Sequence, residues 1–169
     1  MDRHDDMDLH DMDPHDEQSC ARAWSVLSAV HALVSERLAA ALEADSGLTI
    51  TEFEVLLRLG AAGPAGMRPG ALCPAIRLTQ PSVSRAVARL ERQGRVCRAG
   101  APGDGRGVLV SLTPAGRAVL AQASAVHDRT IRALLLDQLT PDEQDLLTRA
   151  LTRVISSAPE EPDLAKERS

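Results

Sequence analysis

The chain of 169 residues contains no tyrosine, one phenylalanine (Phe53) and one tryptophan (Trp24). Unpaired bases are held by stacking on aromatic side chains, so this scarcity argues against single-strand binding and most RNA binding. Cysteine is equally sparse. Cys20, Cys73 and Cys97 are odd in number and lack CxxC spacing, which leaves neither a disulfide framework nor a structural zinc site. Near the N-terminus no basic region joins an apolar core, and no apolar run is expected to be long enough to cross a bilayer. A cytoplasmic protein without a membrane partner is therefore expected. The glycines of GAPGDGRG lack the GK[ST] of a phosphate-binding loop, and neither a nucleophile elbow nor HExxH occurs elsewhere. No enzymatic activity, catalytic residue, cofactor or resident metal is expected.

What the chain does have is charge sorted by segment. The net charge is −5, yet Met1 to Gln18 carries eight acids against one arginine, whereas Arg58 to Arg117 carries ten arginines against two acids. A cationic patch of that density attracts duplex DNA through counterion release, whatever the sign of distant segments. The opening MDRHDDMDLHDMDPHDEQ is too polar to offset the entropy of ordering, and residues 1–18 are expected to be a disordered acidic tail. His4, His10 and His15 among its aspartates are read as solvated, not as a metal site.

Within the basic segment, LTQPSVSRAVARLERQGRV at Leu78 to Val96 has the signals of a helix. Thr79 suits an N-cap, Pro81 suits the first turn, and Val83, Val87 and Leu90 recur at helical spacing before Gly94 ends it. Gln80, Ser82, Ser84, Arg85, Ala88 and Arg89 are then left away from the core. Gln and Arg can each present two hydrogen bonds to a purine edge in the major groove. Short strands over 96–99 and 108–112, with turn chemistry at Pro102 to Gly107 and Arg106 near the tip, complete a basic hairpin. Helix, strand, basic loop and strand together spell a winged helix-turn-helix.

Apolar helices flank this part. A long helix is expected from Ser19 to about Ala44, with Trp24, Leu27, His31, Val34, Leu38 and Ala41 on one stripe and Val26, Val30 and Leu33 beside it. Thr49 and Glu52 have capping-box spacing ahead of a second helix, and a short third helix lies near 69–77, kinked or shortened by Pro74. Thr113–Pro114 and Thr140–Pro141 open two more helices, the latter with Glu143 at capping-box spacing. The end helices are more apolar than one small core requires, which suggests packing against a second copy. The fold class is thus mainly α with a small β-hairpin wing. Residues 48–113 form the winged helix-turn-helix, 19–47 and 114–157 the dimerisation helices, and 158–169 a flexible tail.

Element order and residues resemble the MarR family of bacterial transcription regulators over roughly Ala21 to Val154. The carriers are LTITEFEVLLRL at Leu48, the helix just described, DGRG at Asp104 and LTPAG at Leu112. The resemblance implies a homodimer whose first, fifth and sixth helices interlock and whose winged domains sit on adjacent major grooves. It also implies a repressor released by a small ligand or by oxidation. By position, Gln80, Ser82, Ser84, Arg85 and Arg89 fall on the family's groove and backbone contacts, Arg106 on its minor-groove wing arginine, and Asp104 on the acid that orients that arginine.

Trp24, His31, Arg58 and His127 could line an effector pocket, since such pockets combine apolar walls with a few polar groups. Redox sensing through Cys20 is an alternative, weakened by a setting in which Arg22 is the one evident cationic neighbour. Cys73 and Cys97 are read as packing residues. A helical adaptor without DNA binding is the alternative from another class.

Overall fold

The computed structural model describes residues 14–76, 79–101 and 104–157. Six α-helices and one hairpin occur among them: α1 (Pro14–Ser46), α2 (Ile50–Ala62), α3 (Pro69–Ile76), α4 (Gln80–Arg92), β1 (Val96–Ala101), β2 (Asp104–Leu112), α5 (Pro114–Leu134) and α6 (Pro141–Ser157). The chain divides between Thr130 and Ile131 into two compact units.

In the first unit α2 is the central element, packed on α4, α3, β2 and the end of α1. Its N-terminus is closed by the expected capping box. Glu52 N–H donates to Thr49 Oγ1 at 3.2 Å while Thr49 N–H donates to Glu52 Oε2 at 2.9 Å. Phe53, Val55, Leu56 and Leu59 then enter a core shared with Leu42, Leu48, Leu72, Val83, Val87, Leu90 and Val110. Burying each large apolar side chain contributes about 1.5–3 kcal/mol, so this cluster dominates the unit's stability. Pro74 sits inside α3, which is described over Pro69–Ile76.

α1 begins at Pro14, five residues before the expected start, and Pro is favoured at a first helical position. Residues 14–18 of the expected acidic tail are therefore helical, and residues 1–13 and 158–169 lie outside the described part. The expectation about apolar runs also needs correction: 18–46 is long and apolar enough to cross a membrane by length and composition. The stretch 23–35 contains no Asp, Glu, Lys or Arg.

The hairpin is longer than expected. β1 and β2 pair antiparallel from Val96↔Leu112 to Gly100↔Val108, and a register shift after Gly100 lets Ala101 face Asp104. Asp104 to Gly107, read as turn, thus belongs to the strand. A rung unsuspected from sequence joins it, as Met67 and Val110 exchange two backbone hydrogen bonds of 2.9 Å. Gly66, just before it, has φ +67 and lies so close that a Cβ would fall 2.5 Å from Val110 O. Only glycine meets both demands.

The second unit is built around α6, opened by its own capping box. Thr140 N–H and Oγ1–H reach Glu143 Oε2 at 2.8 and 2.9 Å. These bonds, the backbone one first, hold the Glu143 carboxyl below its ordinary value of 4.5. Gln144 adds Nε2–H bonds to the carbonyls of Leu136 and Leu139.

Candidate nucleic-acid interface

The recognition candidate α4 is amphipathic with a closed rear. Val83, Ala86, Val87 and Leu90 are buried, while Gln80, Pro81, Ser84, Arg85 and Ala88 are exposed and Ser82 is half-buried. Its start differs in detail from the sequence reading. Thr79 has extended backbone and its carbonyl accepts from Ser82 and Val83, but its hydroxyl pairs with Ser82 Oγ at 3.0 Å in place of capping an amide. Arg85 lies along that turn, with Nη2 3.4 Å from Ser82 Oγ.

The helix ends in a Schellman arrangement. Gly94 has φ +68, its N–H donates to Glu91 O, and Arg95 N–H donates to Leu90 O, each at 2.9 Å. The turn directs the chain into β1. At the other end of the hairpin, Thr113 Oγ1–H donates to Gly94 O at 2.7 Å and Thr113 N–H to Arg95 O at 3.1 Å, while Gly116 N–H caps back onto Thr113 Oγ1 at 3.0 Å. The base of the wing is therefore fastened to the end of α4 and the start of α5.

Arg89 differs from Arg85 in being only part-exposed, with 40% of its side chain open to solvent. Its Nε lies 3.3 Å from Oε1 of the nearly wholly buried Glu52, and its Nη2 reaches toward Gly47 O at 3.5 Å. Position 89 follows 85 by four residues and so shares its face by helical spacing, which is why the sequence grouped them. The acid that engages Arg89 comes from α2 and was already accounted for as a capping residue. Arg98, on β1, is similarly engaged with Glu91 at 3.0 Å. Asp104 and Arg106 lie on β2 by backbone, and their side chains are outside the described residues.

The four effector candidates have different surroundings. Trp24 and His31 are exposed on α1, and Arg58 is 4.0 Å from Glu54 one turn earlier. His127 stacks on Phe53, with centroids 5.1 Å apart, and pairs with Asp128 at 3.0 Å. None of them lines the groove of about 580 Å³ that opens between the end of α2 and the start of α5. Leu59, Pro64, Leu112 and Leu120 supply its apolar walls, and Arg117 supplies its charge. That groove was missed because its walls are separated by about 50 residues in sequence and carry no motif. All three cysteines are free; Cys20 and Cys97 are exposed, so Cys97 is not the packing residue expected. It is one of four consecutive exposed residues on β1, Cys97 to Gly100, and lies beside Ser111 Oγ at 3.4 Å.

A family model for the MarR family matches residues 46–107, which span α2 to the wing. An HTH-type transcriptional regulator of Mycobacterium bovis is 32% identical over 117 residues, covering 69% of this chain and 80% of that protein. Among solved structures, a MarR family regulator from Streptomyces coelicolor in complex with DNA has 28% identity and a TM-score of 0.77, over 85% of this chain and 94% of that one. A mutant MarR from E. coli complexed with operator DNA has 27% identity and a TM-score of 0.70, over 85% and 99%. The chain belongs to the MarR family of transcription regulators, which are not enzymes.

Proposed function

We propose that the protein is a dimeric repressor that places α4 in the major groove of duplex DNA and its wing in the adjacent minor groove. The observation that carries this reading is the exposed face of α4. Gln80, Ser84 and Arg85 are exposed on a helix whose opposite side is locked into the core. The two similar regulators solved with DNA support it. In this reading Gln80, Ser82, Ser84 and Arg85 meet bases and phosphates, and Arg106, oriented by Asp104, enters the minor groove. A two-fold dimer then calls for an imperfect palindrome with half-sites about 34 Å apart.

The dimer is supported by apolar surface that the single chain leaves open. Trp24, Val26, Leu27, Val30 and Leu33 on α1, and Leu146, Val154 and Ile155 on α6, are exposed. Stable soluble monomers rarely leave such runs bare. Covering them with a second copy gives a cytoplasmic protein, whereas a membrane-bound chain would instead bury α1 in lipid. A small-molecule effector completes the reading, and the groove beside Arg117 is of a size that holds one.

The test is a salt titration of binding to an operator selected from genomic fragments. Arg85→Ala should cost about 1 to 3 kcal/mol on the operator and relax preference at one base pair. Arg106→Ala should lower the salt slope by about 0.9 and weaken preference for narrow A·T-rich minor grooves. Unchanged binding in both variants would favour the adaptor reading.

A further inference from the structure

Glu52 has both oxygens in use. Oε2 accepts Thr49 N–H at 2.9 Å and Thr49 Oγ1–H at 3.1 Å, and Oε1 faces Arg89 Nε at 3.3 Å. Glu52 is 1% exposed, and removing the charge beside a buried carboxylate is destabilising, to a degree reduced here because the Arg89 side chain is 40% exposed and screened by solvent. Arg89 is thereby held against α2. Moving it to a DNA phosphate would strip Glu52 of its counter-charge, a cost an exposed arginine such as Arg85 does not incur. A second tie runs parallel to the first: Arg95, one residue past the turn that ends α4, donates from Nη2 to Ser46 O at 2.9 Å. Ser46 O and Gly47 O lie at the C-terminal end of α1, the negative end of that helix's dipole, where guanidinium groups are favoured.

We propose that Glu52 and Arg89 are positioning residues for DNA reading. Arg89 is not a phosphate contact but the internal strut that fixes the rotation of α4 on α2, with Arg95 holding the far end of the helix to α1. The rotation matters because α4 has a narrow reading face. A turn of the helix about its axis carries Gln80, Ser84 and Arg85 off the base edges together while leaving the overall cationic field intact. Losing the strut should therefore reduce discrimination between sequences more than general affinity for DNA. This inference rests on the reading of α4 as the groove-entering helix.

The experiment measures binding of the full chain to operator and random duplexes across a salt series, for wild type, Glu52→Gln, Arg89→Gln, Arg89→Lys, the Glu52→Gln/Arg89→Gln double variant and Arg85→Ala. Glu52→Gln keeps an acceptor for the Thr49 cap and removes only the charge; Arg89→Lys keeps the charge. Measurements are made below each variant's melting transition. The expected result is a fall of about tenfold in the operator-to-random ratio for Glu52→Gln and Arg89→Gln, the scale of one mismatched base pair, with an unchanged salt slope. The double variant should be no worse than either single one, and Arg89→Lys should recover part of the ratio. A salt slope lowered by about 0.9 in Arg89→Gln, with Glu52→Gln binding like wild type, would make Arg89 a phosphate contact and overturn the proposal. If wild type and Arg85→Ala alike show no operator preference at low salt, the DNA-reading assignment itself falls and takes this inference with it.

Discussion

α4 and α6 are both amphipathic helices of similar length, and they are finished differently. In α4 the apolar stripe of Val83, Ala86, Val87 and Leu90 is buried by the same chain. In α6 no residue is buried, and Leu146, Leu151, Val154 and Ile155 stand in solvent. α1 contains both conditions in one helix, since Leu38 and Leu42 are buried near its end while Trp24 to Leu33 are largely exposed. One pattern thus serves two purposes. Where a polar face is paired with a core already complete within the chain, the exposed side is free to read another molecule. Where the apolar face itself is left open, the proposed second copy would cover it.

The largest effect should come from breaking the closed side of this comparison. Phe53→Ala removes a 2% exposed ring and its stack on His127, and should cost about 3–5 kcal/mol in urea unfolding. A loss near zero would mean that the α2 core is not what holds the winged part together. Opening the other side should leave the fold intact and change the assembly. Leu27→Asp combined with Val154→Asp should convert a dimer to a folded monomer at micromolar concentration by analytical ultracentrifugation, since each site forfeits about 1.5–3 kcal/mol of burial. Partition of the wild type into the membrane fraction would instead assign the α1 face to lipid.

The smallest effect sharpens the comparison within α6 alone. Glu143 is held below its ordinary carboxyl value by Thr140, so its stabilisation of the helix start is fully present above about pH 4.5 and is lost as pH falls through the lowered folded value. NMR titration of the Glu143 side chain should report that depressed midpoint. Helicity of Glu143→Gln should lack the matching acid transition, and an identical transition in both proteins would detach it from this cap.

How far the sequence revealed all this follows the range of the interactions. Caps are local, so Thr49 with Glu52 and Thr140 with Glu143 could be read from spacing of three residues, and Gly94 from its place after a periodic run. The winged architecture and the exposed Gln80–Ser84–Arg85 face were legible for the same reason. The Met67–Val110 rung, the Glu52–Arg89 pair and the groove beside Arg117 were not, because each joins residues more than thirty apart with no pattern linking them. The extension of β2 through Asp104 to Gly107 was hidden by composition: glycines that signal a turn can also sit in a ladder beside a register shift. Exposure of Cys97 was missed by assigning its residue type to the core, whereas β1 is exposed from Cys97 to Gly100.

The fastening at the base of the wing has a consequence for how this sequence can drift. A Cβ at position 116 would collide with the carbonyl oxygen of Arg95, the same oxygen that accepts from Thr113. Pro114 and Ala115 next to it are exposed and meet no such obstacle. Within four consecutive residues, then, two positions are open to substitution and two are closed. The closed pair is set by a strand entered some twenty residues earlier, so that any insertion or deletion between Arg95 and Thr113 must be absorbed at the hairpin's tip and not at its root.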